Sequence, residues 1–220
     1  MVAQWTIPTV ATAGYELWFL RRHLDANHPE GASSDRYDSL GPANTVSLIR
    51  GASFAAVAGF ALVDPTPHIA WVPAILYGGG CALDWIDGTV ARLSQRETVL
   101  GEKLDMAYDT LGFLVAPLIG VLWGRLPFWY LSLSVVSVFF QGRRMRREHR
   151  GTSANELPTS SLRRPLAGLQ MAFITVALAP VLSPATVRVV AAVVLTPSLI
   201  VFGRDYLVVA GYAGRRNNNY

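Results

Sequence analysis

Between residues 46 and 212 the sequence falls into six apolar spans, roughly 46–63, 69–92, 104–123, 126–141, 165–182 and 185–212, separated by polar connections. Nothing else in the chain constrains its fold as strongly. A single segment inside a bilayer can satisfy its own backbone N–H and C=O groups only as a helix. A soluble domain would instead have to bury several such uncharged stretches in one small core. The composition agrees with the membrane alternative, with 51% hydrophobic and only 15% charged residues. The expectation is an all-α membrane protein of six transmembrane helices.

Residues 1–43 precede these spans. Trp5, Tyr15, Trp18 and Phe19 make the first twenty residues moderately apolar, Pro8 and Glu16 interrupt them, and Arg21 and Arg22 follow at once. Residues 11–24 read as an interfacial amphipathic helix lying on the membrane surface, and the polar residues 25–43 as a connector. The domain expectation is therefore 1–43 as surface helix and connector, 44–214 as the six-helix domain, and 215–220 as a tail. With no basic residue before Arg21, no cleaved signal peptide is expected. The single cysteine, Cys81, rules out an intrachain disulfide.

Orientation follows from the cations, of which all but one are Arg, giving a net charge of +4. Arg92, Arg96 and Lys103 flank the connection between spans two and three, and Arg143, Arg144, Arg146, Arg147, Arg150, Arg163 and Arg164 crowd the one between spans four and five. Both termini are basic, through Arg21, Arg22, Arg36, Arg215 and Arg216, whereas the opposite side offers Arg125 and Arg188. Cations beside apolar spans suit a membrane surface rather than nucleic acid. The positive-inside rule then puts both termini and the even-to-odd loops in the cytoplasm of a multi-pass cell-membrane protein.

Four carboxylates stand where ionised groups are costly. The second span ends in Asp84-Trp85-Ile86-Asp87-Gly88-Thr89-Val90-Ala91-Arg92, and the third opens Gly101-Glu102-Lys103-Leu104-Asp105-Met106-Ala107-Tyr108-Asp109. A lone Asp at a helix end is ordinarily a cap or an exposed charge. Asp84 and Asp87 are three apart and Asp105 and Asp109 four apart, so each pair shares a helix face. A short loop between antiparallel spans brings both pairs to one level. Like charges that close raise one another's pKa, and two divalent cations would neutralise them, with all-oxygen ligation favouring Mg²⁺ or Mn²⁺ over zinc. Gly88, one turn beyond Asp84, leaves backbone open to a ligand, Ala91 keeps that face shallow, and Arg92 brings a phosphate-matching guanidinium. Gly78, Gly79 and Gly80 read as close helix packing.

Asp84-x2-Asp87-Gly88-x2-Ala91-Arg92-x8-Gly101-x3-Asp105-x3-Asp109 resembles the signature of the CDP-alcohol phosphatidyltransferases at every fixed position. Upstream, Asn44-Thr45-Val46-Ser47-Leu48-Ile49-Arg50 resembles the family's Asn-x-x-Thr-x-x-Arg turn, with Ser47 for Thr; taken alone it reads as a helix cap followed by a snorkelling Arg. The resemblance implies that Asp84, Asp87 and Asp105 hold one metal and Asp84, Asp105 and Asp109 the other, with Asp109 also the general base. It implies that Asn44, Thr45, Val46, Ser47, Gly88, Arg92 and Thr98 hold the CDP part of a CDP-activated lipid donor. The partners it implies are that donor, a small alcohol acceptor, the bilayer and a second copy in a homodimer.

The implied reaction moves a lipid-phosphate group onto the acceptor hydroxyl and releases CMP. Arg163, Arg164 and Arg204 suggest a basic pocket for a phosphate on the acceptor, favouring glycerol 3-phosphate or inositol phosphate over serine or inositol. Against this pocket, Arg163 and Arg164 read as positive-inside anchors and Arg204 as a snorkelling side chain. Intramembrane prenyltransferases also bind a diphosphate through Asp-rich helices, but their Asp motifs are spaced differently and sit in more helices. A channel or scaffold would not need Gly88, Ala91 and Arg92 in register with the acids.

Overall fold

A computed structural model describes residues 2–29, 31, 35–94, 96–149 and 163–209. Seven α-helices follow in order: α1 Val2–His23, α2 Gly41–Ala58, α3 Val72–Leu93, α4 Val99–Leu122, α5 Ser132–His149, α6 Arg163–Leu178 and α7 Pro184–Val209. Short 3₁₀ turns at Leu24–Ala26, Gly59–Leu62 and Phe128–Leu131 extend or join them, and no strand occurs among the described residues. Helices α2 to α7 overlap the six apolar spans, α5 being displaced six to eight residues toward the C-terminus. Three stretches are long and apolar enough to cross a membrane, Gly41–Leu62, Val99–Leu122 and Pro184–Arg204.

The centre of the bundle is α2, α3 and α4, brought together by glycine. Phe54 of α2 sits between Gly80 of α3 and Gly112 of α4, where an added Cβ would lie 2.5 Å and 3.0 Å from its ring. A Cβ on Gly78 would meet Thr175 of α6 at 2.7 Å, whereas Gly79 faces open space. Without a hydrophobic drive between helices in lipid, such close backbone approach is what holds them. At one end of this core Phe60 stands edge-on to Trp123, with ring centroids 5.7 Å apart, and the Trp123 indole donates to the Val63 carbonyl at 2.9 Å. The α4–α5 connection turns there on Gly124, whose φ of +66° suits glycine.

Helices α6 and α7 are tied by Gln170, which is buried. Its amide donates to the Val194 carbonyl at 2.9 Å and to the Ser198 hydroxyl at 2.8 Å, while its oxygen accepts from the Tyr130 hydroxyl. A fully satisfied polar group of this kind fixes helix register where no water competes.

The surface-helix expectation for residues 11–24 is corrected. Helix α1 starts at Val2 and runs antiparallel along α2: Trp5 packs on Phe60 with centroids 6.5 Å apart, a Cβ on Gly59 would collide with Thr9 and Trp5, and Glu16 lies against Gly51. Its 22 residues rise about 33 Å, close to the ~30 Å thickness of a hydrocarbon core. Its apolar side chains do not form one outward stripe, because Thr9 and Glu16 face α2 while Ile7, Val10 and Leu17 are exposed. The beginning of α1 thus sits at the Phe60–Trp123 end and its basic Arg21-Arg22-His23 end at the Asn44 end. The expectation that the N-terminus shares a face with Asn44 and the aspartates does not hold for this packing.

Residues 25–43 are more than a connector. Asn27 is buried and donates to the carbonyls of Tyr37 and Ser39, each at 3.0 Å. Arg96 donates to the Ser39 carbonyl at 2.6 Å and stacks over the Tyr37 ring at 4.1 Å. Gly41, with φ +78°, turns the chain into α2 directly beneath the Arg96 guanidinium.

Candidate active site

The site is assembled where α2 begins, α3 ends and α4 begins. The short α3–α4 connection folds back through Ser94 N–H to the Val90 carbonyl at 2.9 Å and Arg96 N–H to the Ala91 carbonyl at 3.2 Å. Thr98 then caps α4, with extended backbone and its hydroxyl accepting from Gly101 N–H at 3.0 Å. Asn44 reaches across from α2, donating to the same Thr98 hydroxyl at 3.2 Å and to Asn27 Oδ1 at 3.4 Å. A Cβ on Gly101 would stand 2.8 Å from Asn44 Oδ1, so the glycine in the signature is what lets Asn44 touch the α4 N-terminus.

One turn deeper, carboxylate oxygens of Asp84, Asp105 and Asp109 lie within 4.8 Å of one another. They converge on Arg50, whose side chain is 0% exposed. Its guanidinium is ion-paired with Asp84, donates to Asp105 Oδ1 at 2.9 Å and the Asp105 carbonyl at 3.3 Å, and stands 3.6 Å from Asp109 Oδ1. The Tyr108 ring closes its remaining side, 6.0 Å from the guanidinium carbon. A buried guanidinium needs such anionic partners.

Of the sequence-predicted residues, Asp84, Asp105 and Asp109 come together as expected. Asp87 lies on α3 one turn after Asp84, and Arg92 near the end of the same helix; the structure does not describe their side chains. Gly88 occupies the intervening turn. Asn44 and Ser47 are buried and Thr98 nearly so, whereas Thr45 is exposed and Val46 half-buried. Arg164 and Arg204 are exposed on α6 and α7, and the Arg163 side chain lies outside the described residues.

The reading of residues 44–50 as cap plus snorkelling Arg is overturned. Leu40, not Asn44, is the residue before α2, and Arg50 is buried at the centre of the acids. The signal was available: three facing carboxylates call for a buried cation, and Arg50 is the one Arg that the Asn-x-x-Thr-x-x-Arg resemblance carries into the first span.

The donor set is what a hard divalent cation requires, oxygen-only and anionic, from two adjacent helices. The oxygens are already close enough for one ion to bridge them.

The family model for CDP-alcohol phosphatidyltransferase matches residues 41–201, and the chain belongs to this family. Among curated proteins it is similar to those named "Putative cardiolipin synthase" from Mycobacterium bovis and from two strains of Mycobacterium tuberculosis, at 36% identity over 89 residues. The match covers 40% of this chain and 41% of each relative. No solved structure matches.

Proposed function

We propose that the protein transfers a lipid-phosphate group from a CDP-activated lipid to the hydroxyl of a small alcohol and releases CMP. The observation that carries this is the convergence of Asp84, Asp105 and Asp109 on buried Arg50 inside the segment matched by the family.

Asp84, Asp87 and Asp105 would hold one Mg²⁺ or Mn²⁺ and Asp84, Asp105 and Asp109 a second. Bound there, the cations screen the donor diphosphate and stabilise the charge that builds on the departing CMP. Asn44, Thr45, Val46, Ser47, Gly88, Arg92 and Thr98 are the donor-side residues, orienting cytidine and phosphates at the mouth of α2, α3 and α4. An Asp109 carboxylate oxygen takes the acceptor's proton as its hydroxyl oxygen bonds to the lipid-proximal phosphorus; the bond from that phosphorus to the CMP oxygen breaks. Arg50 keeps the three carboxylates spaced through this step.

The site end faces the cytoplasm in this reading, with the start of α1 on the other side. An impermeant thiol reagent should then label a cysteine placed at Ser39 from the cytoplasmic side and one at Ala3 from outside. Six helices cross the bilayer, joined by α1, and the protein acts as a homodimer, a state that light scattering in detergent reads directly.

The acceptor is of glycerophosphate type, which the name of the mycobacterial relatives favours, with Arg163, Arg164 and Arg204 attracting its phosphate. Purified protein, CDP-diacylglycerol and a panel of glycerol 3-phosphate, phosphatidylglycerol, inositol phosphate, inositol and serine test this, with products read by mass. Arg204→Ala should raise the acceptor KM by several-fold, about 1 kcal/mol of phosphate attraction, with the donor KM unchanged. Turnover restricted to serine or inositol contradicts the pocket.

A further inference from the structure

Glu16 is a buried carboxylate, 6% exposed, that the reaction above does not use. It sits on α1, before the segment matched by the family, and faces the helix that carries Arg50. Its neighbours explain where it points. A Cβ on Gly51, the residue after Arg50, would lie 3.2 Å from the Glu16 carboxyl carbon and Oε2 and 3.0 Å from the phenolic carbon of Tyr108. Gly51 is therefore the notch in which a carboxylate from α1 and a phenol from α4 meet. Among the described residues, Glu16 Oε1 and the Tyr108 hydroxyl are buried with no hydrogen-bond partner, one an acceptor and the other a donor. Tyr108 is 0% exposed, precedes Asp109, and presents its ring to Arg50.

An ionisable group facing a bundle interior is costly and calls for a function. Packing alone gives no reason for a carboxylate here, since the rest of the inner face of α1 is Trp5, Thr9 and Phe19, which pack without charge. What lies beyond Glu16 is a chain of contacts that ends on the acids: Tyr108, then Arg50, then Asp84, Asp105 and Asp109. The guanidinium is a planar fork, and a small tilt of its plane changes the spacing of all three carboxylates.

We propose that Glu16 is a positioning residue for the carboxylate cluster: across Gly51 it orients Tyr108, which sets the Arg50 guanidinium that spaces Asp84, Asp105 and Asp109. This rests on the cluster being the cation site of the proposed reaction. Partners behind the ligands of a metal typically alter its affinity by about 10–100-fold when removed, and the same scale is expected here.

The test is Mn²⁺ binding to the purified full-length protein in detergent, read by the free-Mn²⁺ electron paramagnetic resonance signal without donor or acceptor. Glu16→Ala should weaken binding by about tenfold, whereas Glu16→Gln, which keeps an acceptor for the Tyr108 hydroxyl, should stay within about threefold. Tyr108→Phe should match Glu16→Ala, and the double variant should lose no more than either single one. At saturating Mn²⁺ the donor KM should be unchanged. Wild-type Mn²⁺ affinity in both Glu16→Ala and Tyr108→Phe, or additive losses in the double variant, overturns the positioning role. If Glu16→Ala does not fold, Glu16→Gln and Tyr108→Phe decide alone, and additive losses between those two overturn it equally. No Mn²⁺ binding by the wild type overturns the cation site itself, a result distinct from wild-type binding that Glu16 does not influence.

Discussion

The two ends of the α2–α3–α4 core are built on opposite principles. At the Phe60–Trp123 end, aromatic edges and glycine contacts bury apolar surface, with one indole N–H satisfied by the Val63 carbonyl. At the Asn44–Arg50 end, Asn27, Asn44, Thr98, Arg50 and the aspartates form a continuous polar network. A buried ion-paired network adds little net stability, because desolvation offsets the attraction. The apolar end therefore holds the bundle together, and the polar end uses that rigidity to keep like charges close. The proposed function falls at the end whose polar network holds together least well by itself.

The comparison is broken most severely at Arg50. Arg50→Ala leaves three partly exposed carboxylates facing one another without their shared guanidinium. CMP release should fall by more than about a hundredfold, together with a lower melting temperature in detergent. An active, stable Arg50→Ala protein would mean that the acids do not depend on this cation.

The apolar packing at the centre of the core, between the two ends, predicts a different signature. Gly80→Val puts side-chain atoms into the Phe54 ring, where even a Cβ would lie 2.5 Å away, and overpacking of this kind costs about 1–3 kcal/mol. The melting temperature should drop while the KM for CDP-lipid in the surviving protein stays near wild type. A changed KM with unchanged melting would show that packing and site are not separable in the way described.

How far the sequence foretold these two ends differs. Hydropathy found the positions of α2 to α7, with α5 displaced by six to eight residues, and three of the described stretches are long and apolar enough to cross a membrane. It misplaced α1, because Gln4, Thr6, Thr9, Pro8 and Glu16 lower its apolarity and resemble a surface helix. Two of these, Thr9 and Glu16, face α2, and a polar residue's partner across a helix interface leaves no trace in a single sequence. Asp105 and Asp109 were legible from their spacing of four, since helical periodicity is local, and they meet Asp84 as expected; the Asp87 side chain lies outside the described residues. The place of Arg50 among the acids was not legible from spacing, only from the Asn-x-x-Thr-x-x-Arg resemblance, because the two helices that surround it arrive later in the chain. Nor was the part played by Asn27 and Arg96, whose hydrogen bonds span 10 to 57 residues.

The smallest effect is expected at the cap. Thr98→Ala removes the acceptor of Gly101 N–H and of the Asn44 amide, at about 0.5–2 kcal/mol for a lost N-cap. The donor KM should rise by a few-fold with the Mn²⁺ affinity kept, because Asp105 and Asp109 lie about two and three turns further along the chain. Loss of Mn²⁺ binding instead would show that the cap and the acids form one unit.

The central claim is that the carboxylates around Arg50 run a cation-dependent phosphoryl transfer. Its most direct measurement is CMP release from CDP-diacylglycerol by the purified protein with an accepting alcohol, in EDTA and then with Mg²⁺ or Mn²⁺ restored, for wild type, Asp105→Asn and Asp109→Asn. No release is expected in EDTA, with recovery in either cation, no turnover by Asp105→Asn at any cation concentration, and loss of turnover by Asp109→Asn while it still binds CDP-lipid. Full release in EDTA, or wild-type turnover by Asp105→Asn, would contradict it.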